Sequence, residues 1–409
     1  MSGRIAVHNL FTGRIRFAVQ LFSGLIYTVR SVYLDYNATT PLDQEVRIAM
    51  EPYLTEVWGN PSSVHHIGRR ARADLDDFRD RTATVLGCKP SEVVFTSGGT
   101  EANNLAVFGA ARLRREQGQH LITSTIEHHA VLHCFDYLEA REGYTVTRLP
   151  VDREGLVNPE ELRSAIRPDT TLVSIMAANN ESGSIQPVAE LGSICRDRGV
   201  LFHADAVQWF GKEPVYGVEQ FNADLISICS HKFYGPRGAG VLYIRSPLLP
   251  EPLLFGGAHE NERRAGTENL AAIAGFCAAL ERFVRLPVFD RVRLQPFRDR
   301  LIATVESLPV ATFRGSKTQS LANTVSFTVT GCDGIALMAA LDLEGICASS
   351  GSACSAGSLE PSHVMTAMGV SPAEANALVR FSLGRETLPE AVDYVIQKLP
   401  FILDRLTAS

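Results

Sequence analysis

Between residues 90 and 245 the chain alternates short apolar runs with longer segments whose apolar residues recur every three or four positions. The runs are EVVFT (92–96), HLITS (120–124), TLVSIM (171–176), GVLFHA (199–204), ADLISI (223–228) and GVLYIR (240–245). Their length and β-branched content predict strands. The intervening segments, such as EANNLAVFGAARLRR and VAELGSICRDRG, predict helices, the second stopped by its C-terminal glycine. Such alternation is the pattern of an α/β sheet. Most runs lack the apolar–polar alternation of a half-exposed strand, which predicts a sheet covered on both faces. After about residue 285 the texture changes. A charged helical stretch, FRDRLIATVESL, leads to strand-like NTVSFTV, helical GIALMAALDLEG and strand-like LVRFSL, which predicts a second, smaller α+β unit. YLDYNATTP (33–41) is too short to fold alone and is expected to dock against one of the two units.

Five of the runs end in polar clusters. SGGTE follows VVFT, TIEHHA follows LITS, AANNE follows LVSIM, DAVQ follows LFHA and CSHK follows LISI. In open α/β sheets ligands bind in the crevice beyond the carboxyl ends of the strands. Five clusters delivered to that edge predict a site there. SGGTE (97–101) opens a helix whose N-terminal N–H groups and dipole favour an anion, although a plain capping turn explains the same residues. It has neither the GK[ST] of a nucleotide P-loop nor the GxGxxG spacing. Lys232 directly follows a buried strand. It is either a lysine snorkelling from the strand end or a partly desolvated amine suited to imine chemistry. Asp205, 27 residues upstream, is either a helix cap or the partner of a buried cation. A lysine, a buried carboxylate and a helix N-terminus are together what a pyridoxal phosphate site needs. His128, His129, His133 and Cys134 lack the spacing of a structural zinc site. One histidine acting as a stacking or acid/base group, surface histidines, and a metal ligand set remain as readings.

Composition narrows the picture. A chain of 409 residues, 45% hydrophobic, is long enough for two domains with a large core. The net charge of −6 and the lack of any basic stripe argue against nucleic-acid binding as the main activity. Eight cysteines without CxxC pairs predict a reducing compartment, hence a cytoplasmic protein, with most thiols acting as small buried hydrophobes. Residues 1–31 carry Arg4, Arg14, Arg16 and Arg30 and no acidic residue. They read as a disordered extension or as a mitochondrial targeting segment, and are too short and polar for a membrane span. Cys354 sits within SSGSACSAGS (349–358), a run of small residues expected to form a mobile surface loop.

The ordered series YLDYNATTP, GNPSSVHHIG, FTSGGTEANN, EHHAV, ANNESG, FHADAVQ, SHKFYGPRGAG, RRAGTEN, SSGSACSAGSLEPSHV and VRFSLGR resembles the motifs of pyridoxal-phosphate cysteine desulfurases, in the branch used for iron–sulfur cluster and nitrogenase assembly. The match covers residues from about 33 to 405. The resemblance implies the aspartate-aminotransferase-like fold (fold type I) and a homodimer. The large domain (43–287) would hold a mixed, mostly parallel seven-stranded sheet. A smaller α+β domain (32–42 with 288–409) would carry the cysteine loop. By the same resemblance Lys232 would hold pyridoxal 5'-phosphate as an imine, Asp205 would pair with the ring nitrogen and Gln208 with the phenolic oxygen. His128 would stack on the ring and shuttle protons, with Asn180 near the cofactor and the substrate carboxylate. Gly99, Thr100, Ser230, His231 and, from the other subunit, Thr267 would cradle the phosphate. Arg380 would clamp the carboxylate of L-cysteine, and Cys354 would be the nucleophile, passing its sulfur to an acceptor such as an iron–sulfur scaffold, with a transient [Fe-S] contact through Cys354. No metal, nucleic acid or membrane partner is implied.

Two positions depart from the family pattern. Cys229 stands where serine is usual, which predicts that phosphate binding leans on Ser230 or is weaker. Trp209 and Phe210 stand where small or aliphatic residues are common, and are expected to repack the wall behind the cofactor. A selenocysteine lyase, a cysteine-sulfinate desulfinase, a class V aminotransferase, or a sulfur-relay or scaffold subunit with little catalysis are the competing readings. The loop cysteine argues against the enzymes among them, and the intact lysine, aspartate and histidine against the scaffold.

Overall fold

The computed structural model describes residues 31–351 and 361–407; Cys354, most of its serine-rich loop and the N-terminal extension lie outside them. The described residues include twelve strands: β1 (Val32–Tyr33), β2 (Val93–Thr96), β3 (His120–Ser124), β4 (Thr145–Leu149), β5 (Thr170–Ser174), β6 (Leu201–Asp205), β7 (Leu225–Cys229), β8 (Gly240–Ile244), β9 (Ala311–Arg314), β10 (Thr324–Val329), β11 (Ile346–Cys347) and β12 (Leu378–Ser382). All six expected runs of the first half are strands. The additional member, β4, is a half-exposed edge strand in which only Leu149 is buried.

The large sheet has the order β2-β8-β7-β6-β5-β3-β4. Its pairings are parallel except those of β8, which runs against both β2 and β7. The chain therefore leaves β2, β3, β5, β6 and β7 along one edge, where the five polar clusters lie. Alternate residues of each strand enter different cores. Val93, Phe95, Val173, Ile226 and Ile228 pack on one face, and Val94, Leu172, Leu225 and Leu242 on the other. Helices Gly99–Leu113 and His129–Glu142 cover that second face. With both faces buried, neither parity of a strand has reason to be polar, which is why the runs read as continuously apolar.

The second unit is an antiparallel sheet, β12-β10-β9, backed by helices Arg291–Glu306 and Pro389–Thr407. YLDYNATTP binds both units. β1 pairs with β11, whereas Thr40 and Asp43 donate their N–H groups to the carbonyls of His231 and Tyr234 beside the large sheet. A third apolar cluster, of Ile126, Met176, Val364, Met365 and Leu378, closes the junction near the strand ends. Among the described residues no helix is long and apolar enough to cross a membrane.

Candidate active site at the strand ends

A cavity of about 230 Å³ opens where the strand ends meet the second unit. Gly99, Thr100, His128, Asn180, Asp205, Gln208, His231, Lys232 and Arg380 line it, together with Asn37, Asn103 and Cys229.

Lys232 ends a short 3₁₀ turn that continues β7. Its Nζ donates to the carbonyls of Asn37 (2.9 Å) and Ala38 (2.7 Å). Asp205 is the last residue of β6 and is 5% exposed. Its carboxylate accepts Nδ2 of Asn103 at 2.7 Å and the N–H of Val207 at 3.0 Å. Burial pushes its pKa up, opposed by those two donors and by Lys232. A carboxylate in that position gains from a cation placed in the cavity.

His128 caps helix His129–Glu142 by accepting the Ala130 N–H on Nδ1 at 3.0 Å. The neutral ring then carries its proton on Nε2. Burial, reinforced by Lys232, lowers its pKa to about 4. His231, tied to Thr39 Oγ1 at 3.1 Å, is lowered to about 3 by burial and then Lys232. Both rings are neutral at neutral pH.

Gly99 opens helix Gly99–Leu113, and a Cβ there would come within 2.8 Å of Val207 Cγ2. A larger residue would push the helix N-terminus out of the wall, so glycine keeps its N–H groups at the cavity. Arg380, on β12, is 1% exposed. Nη2 pairs with Asp35 at 2.7 Å and Nη1 with the Asn180 carbonyl at 2.8 Å, while Nε has no partner among the described residues.

Two expected residues lie elsewhere. Ser230 is fully buried outside the cavity. Its Oγ faces the carbonyls of Pro236 (2.5 Å) and Ala239 (3.0 Å), and its N–H is bonded to Ala239 as well. Both of its donors hold the turn, so the wall at this point is made by Cys229. Thr267 lies on an exposed segment away from the cavity. Trp209 and Phe210 both pack on Phe221, with ring centroids 5.4 and 6.1 Å away, in the core behind the site. His129 lies between His133 (4.9 Å) and His363 (4.7 Å), ring to ring.

Cys354 lies outside the described residues, but both flanks of its segment are anchored here. Ser349 pairs antiparallel with Arg380 through two backbone bonds. Ser362 Oγ donates to Glu181 at 2.5 Å, and His363 Nε2 lies 2.9 Å from the Glu127 carbonyl.

Sequence reasoning missed Asn37, Asn103 and Glu127. The first two are neutral amides with no titratable signature. Glu127 is fully buried, bonded by Ser124 and the Met176 N–H, and burial raises its pKa to about 8. Its place inside TIEHHA was the available signal, overshadowed by the histidines.

Residues 32–395 match the class-V aminotransferase family. The chain is 46% identical over 378 residues to cysteine desulfurase IscS of Dictyoglomus turgidum, covering 92% of this chain and 95% of the relative. Over 377 residues it is 42% identical to cysteine desulfurase NifS of Azotobacter vinelandii, covering 92% and 93%. Among solved structures, a NifS-like protein superposes with a TM-score of 0.85 at 37% identity, covering 92% of this chain and all of that one (100%). SspA in complex with cysteine gives 0.77 at 36% identity, covering 88% and 100%. With similarity of this extent over nearly the whole of both chains, the protein belongs to the class-V aminotransferase family and, within it, to the cysteine desulfurases.

Proposed function

We propose that this chain binds pyridoxal 5'-phosphate in the strand-end cavity and uses it to move sulfur from L-cysteine to Cys354, releasing L-alanine. The observation that carries the reading is the convergence of Lys232, Asp205, His128 and Arg380 on one cavity. The donor set fits the cofactor. Lys232 offers an amine, Asp205 a buried carboxylate for the ring nitrogen, and the Gly99–Thr100 helix start, with His231, offers polar groups to the phosphate. Gln208 and Asn180 supply amides at the ring's edge, and His128 a flat neutral ring. When bound, the cofactor supplies an electrophilic carbon for the substrate amine and a ring that takes up electrons.

The chain's own groups do the rest. The Lys232 amine accepts the α-proton of the substrate. Asp205 keeps a proton on the ring nitrogen, and His128 Nε2–H is a donor beside the reacting atoms. Arg380 receives the substrate carboxylate on its guanidinium, whose buried Nε N–H awaits an acceptor. The Cys354 thiolate attacks the substrate sulfur. An S–S bond forms and the C–S bond breaks, its electron pair staying with carbon, which is then protonated to alanine. The enzyme retains a persulfide.

The same reading divides the chain into a large domain (43–287) and a small one (32–42 with 288–409), supported by the β1–β11 pairing. It makes the protein a homodimer in which exposed Thr267 serves the neighbouring site. It places the protein in the cytoplasm, in keeping with seven described cysteines that are all free thiols. The acceptor is a sulfur-receiving protein such as an iron–sulfur scaffold.

Mass spectrometry after incubation with L-cysteine tests this. An addition of about 32 Da on Cys354, the mass of one sulfur, with alanine formed in parallel, is expected. C354A should keep the visible absorbance of bound cofactor and lose sulfur release. Full desulfurase activity in C354A would refute the persulfide step.

A further inference from the structure

Lys212 has no role in the reaction as described. It lies behind the cavity, 3% exposed, and its partners are amide oxygens and an aromatic face. Nζ donates to Asn37 Oδ1 at 2.6 Å and to Gln208 Oε1, and it stands 5.2 Å from the centroid of the Phe289 ring. Burying an amine without a carboxylate partner is costly, and an apolar side chain of the same length would fill the space at less expense. What the apolar side chain could not do is donate.

That capacity decides the orientation of Gln208. The two ends of a side-chain amide have nearly the same shape and opposite hydrogen-bonding roles. Lys212 presents N–H donors to one end. The Asn37 main-chain oxygen, which can only accept, meets the other end at 3.0 Å from Nε2. Both neighbours dictate the same choice, oxygen toward Lys212 and NH₂ toward Asn37. The Asn37 oxygen also accepts Lys232 Nζ at 2.9 Å, so the NH₂ end lies on the Lys232 side. Asn37 is itself held by Asn323 Nδ2 on its Oδ1 (3.0 Å), and its own Nδ2 donates to Thr324 Oγ1 (2.9 Å).

We infer that Lys212 is a positioning residue that, together with the Asn37 main-chain oxygen, fixes which end of the Gln208 amide faces the cavity, committing that point of the wall to donate a hydrogen bond to an electron-rich oxygen of the bound cofactor. The inference rests on the pyridoxal reading, in which Gln208 meets the phenolic oxygen. Burial, then Lys232 and Arg380, presses the Lys212 pKa well below the lysine range. The neutral amine keeps the two N–H groups that the two bonds need, so the orientation is imposed in either form.

The test is a pH titration of the visible absorbance of the enzyme loaded with pyridoxal phosphate. A donor on the phenolic oxygen draws charge from it and weakens its hold on the proton of the neighbouring nitrogen. K212M leaves the Gln208 amide oxygen without its donor and only the Asn37 oxygen to hold the other end, so the amide is freed to turn and the pKa of the bound chromophore is expected to rise, by up to about one unit or a tenfold gain in proton affinity. K212R should stay near the wild type. K212M/Q208A should shift no further than Q208A alone, because the lysine acts through the glutamine. A merely structural role would lower the melting temperature of the cofactor-free protein and leave the chromophore pKa in place, and an unmoved pKa in K212M overturns the inference. Should K212M not fold, K212Q keeps length and polarity but can serve either end of the amide. It is expected to shift the pKa upward too, and a wild-type value overturns the inference equally. A wild-type protein that takes up no chromophore at all would instead bring down the reading of the site, a result distinct from an unchanged K212M.

Discussion

The two walls of the cavity are built differently. On the large-sheet side, His128, Asp205 and Lys232 each stand at or just past the end of a strand, held by bonds to nearby turns or to the Asn37 segment. On the other side, Arg380 and Asn37 come from chain segments more than 300 residues apart, joined by the Arg380–Asp35 pair and by the N–H of Asn37 on Ser382 Oγ, 345 residues away. The first wall is set by strand ends, with Lys232 tied across to the Asn37 segment, and on the proposed reading it positions the reacting groups. The second depends on the packing of two units and, on the same reading, receives the substrate. The difference teaches that, on that reading, chemistry and substrate capture are separable, and substitutions should separate them.

The largest effect is expected from Lys232. On the proposed reading K232A removes both the cofactor's attachment and the base, and alanine release should fall by at least about 10³-fold, with loss of the visible chromophore. Retention of either within tenfold of the wild type would place the chemistry elsewhere on that wall. A change on the opposite wall should read out as binding. R380K keeps the charge but cannot reach Asp35, the Asn180 carbonyl and a substrate carboxylate together. KM for L-cysteine should rise about tenfold to a hundredfold, corresponding to about 1.5–3 kcal/mol for a charged hydrogen bond, with a smaller change in kcat. A fall in kcat with constant KM would contradict the division between the walls.

The smallest effect concerns Glu127, behind the first wall. Its pKa in the folded protein is raised by burial to about 8, from an ordinary 4.5. The folded state therefore holds a proton that the unfolded state releases between those values. The resulting stability is fully present below about pH 4.5 and is lost as pH rises through about 8. E127Q cannot ionise, so its melting temperature should gain on that of the wild type as pH rises across this window. Parallel melting curves would show that Glu127 is ionised in the fold.

Much of the first wall was legible because a parallel sheet with two buried faces leaves an unbroken apolar signal, and each run stops where the chain turns polar. Lys232 and Asp205 stood out as charged residues at such stops. Ser230 had the same address, yet its hydroxyl turned inward to Pro236 and Ala239. Position along a chain does not tell a phosphate-binding hydroxyl from one that closes a turn. Strand β4 was missed since an exposed edge strand lacks the apolar run. The docking of YLDYNATTP to one unit was too narrow an expectation. A short segment with one strand can spend its backbone groups on both units, pairing with β11 at one end and with the carbonyls of His231 and Tyr234 at the other.

The sequence by itself determined the α/β class, the polar edge and the lysine and aspartate standing at it, because periodicity and charge are local properties of the chain, whereas the choice of His128 among the neighbouring histidines came from the resemblance. Only the tertiary structure decided that Asn37, Asn103 and Lys212 complete or support that site, and it placed Arg380, which the resemblance had implied, on the same cavity. Their selection depends on which donor meets which acceptor across residues far apart, and a hydrogen bond of that kind leaves no mark on the neighbouring sequence.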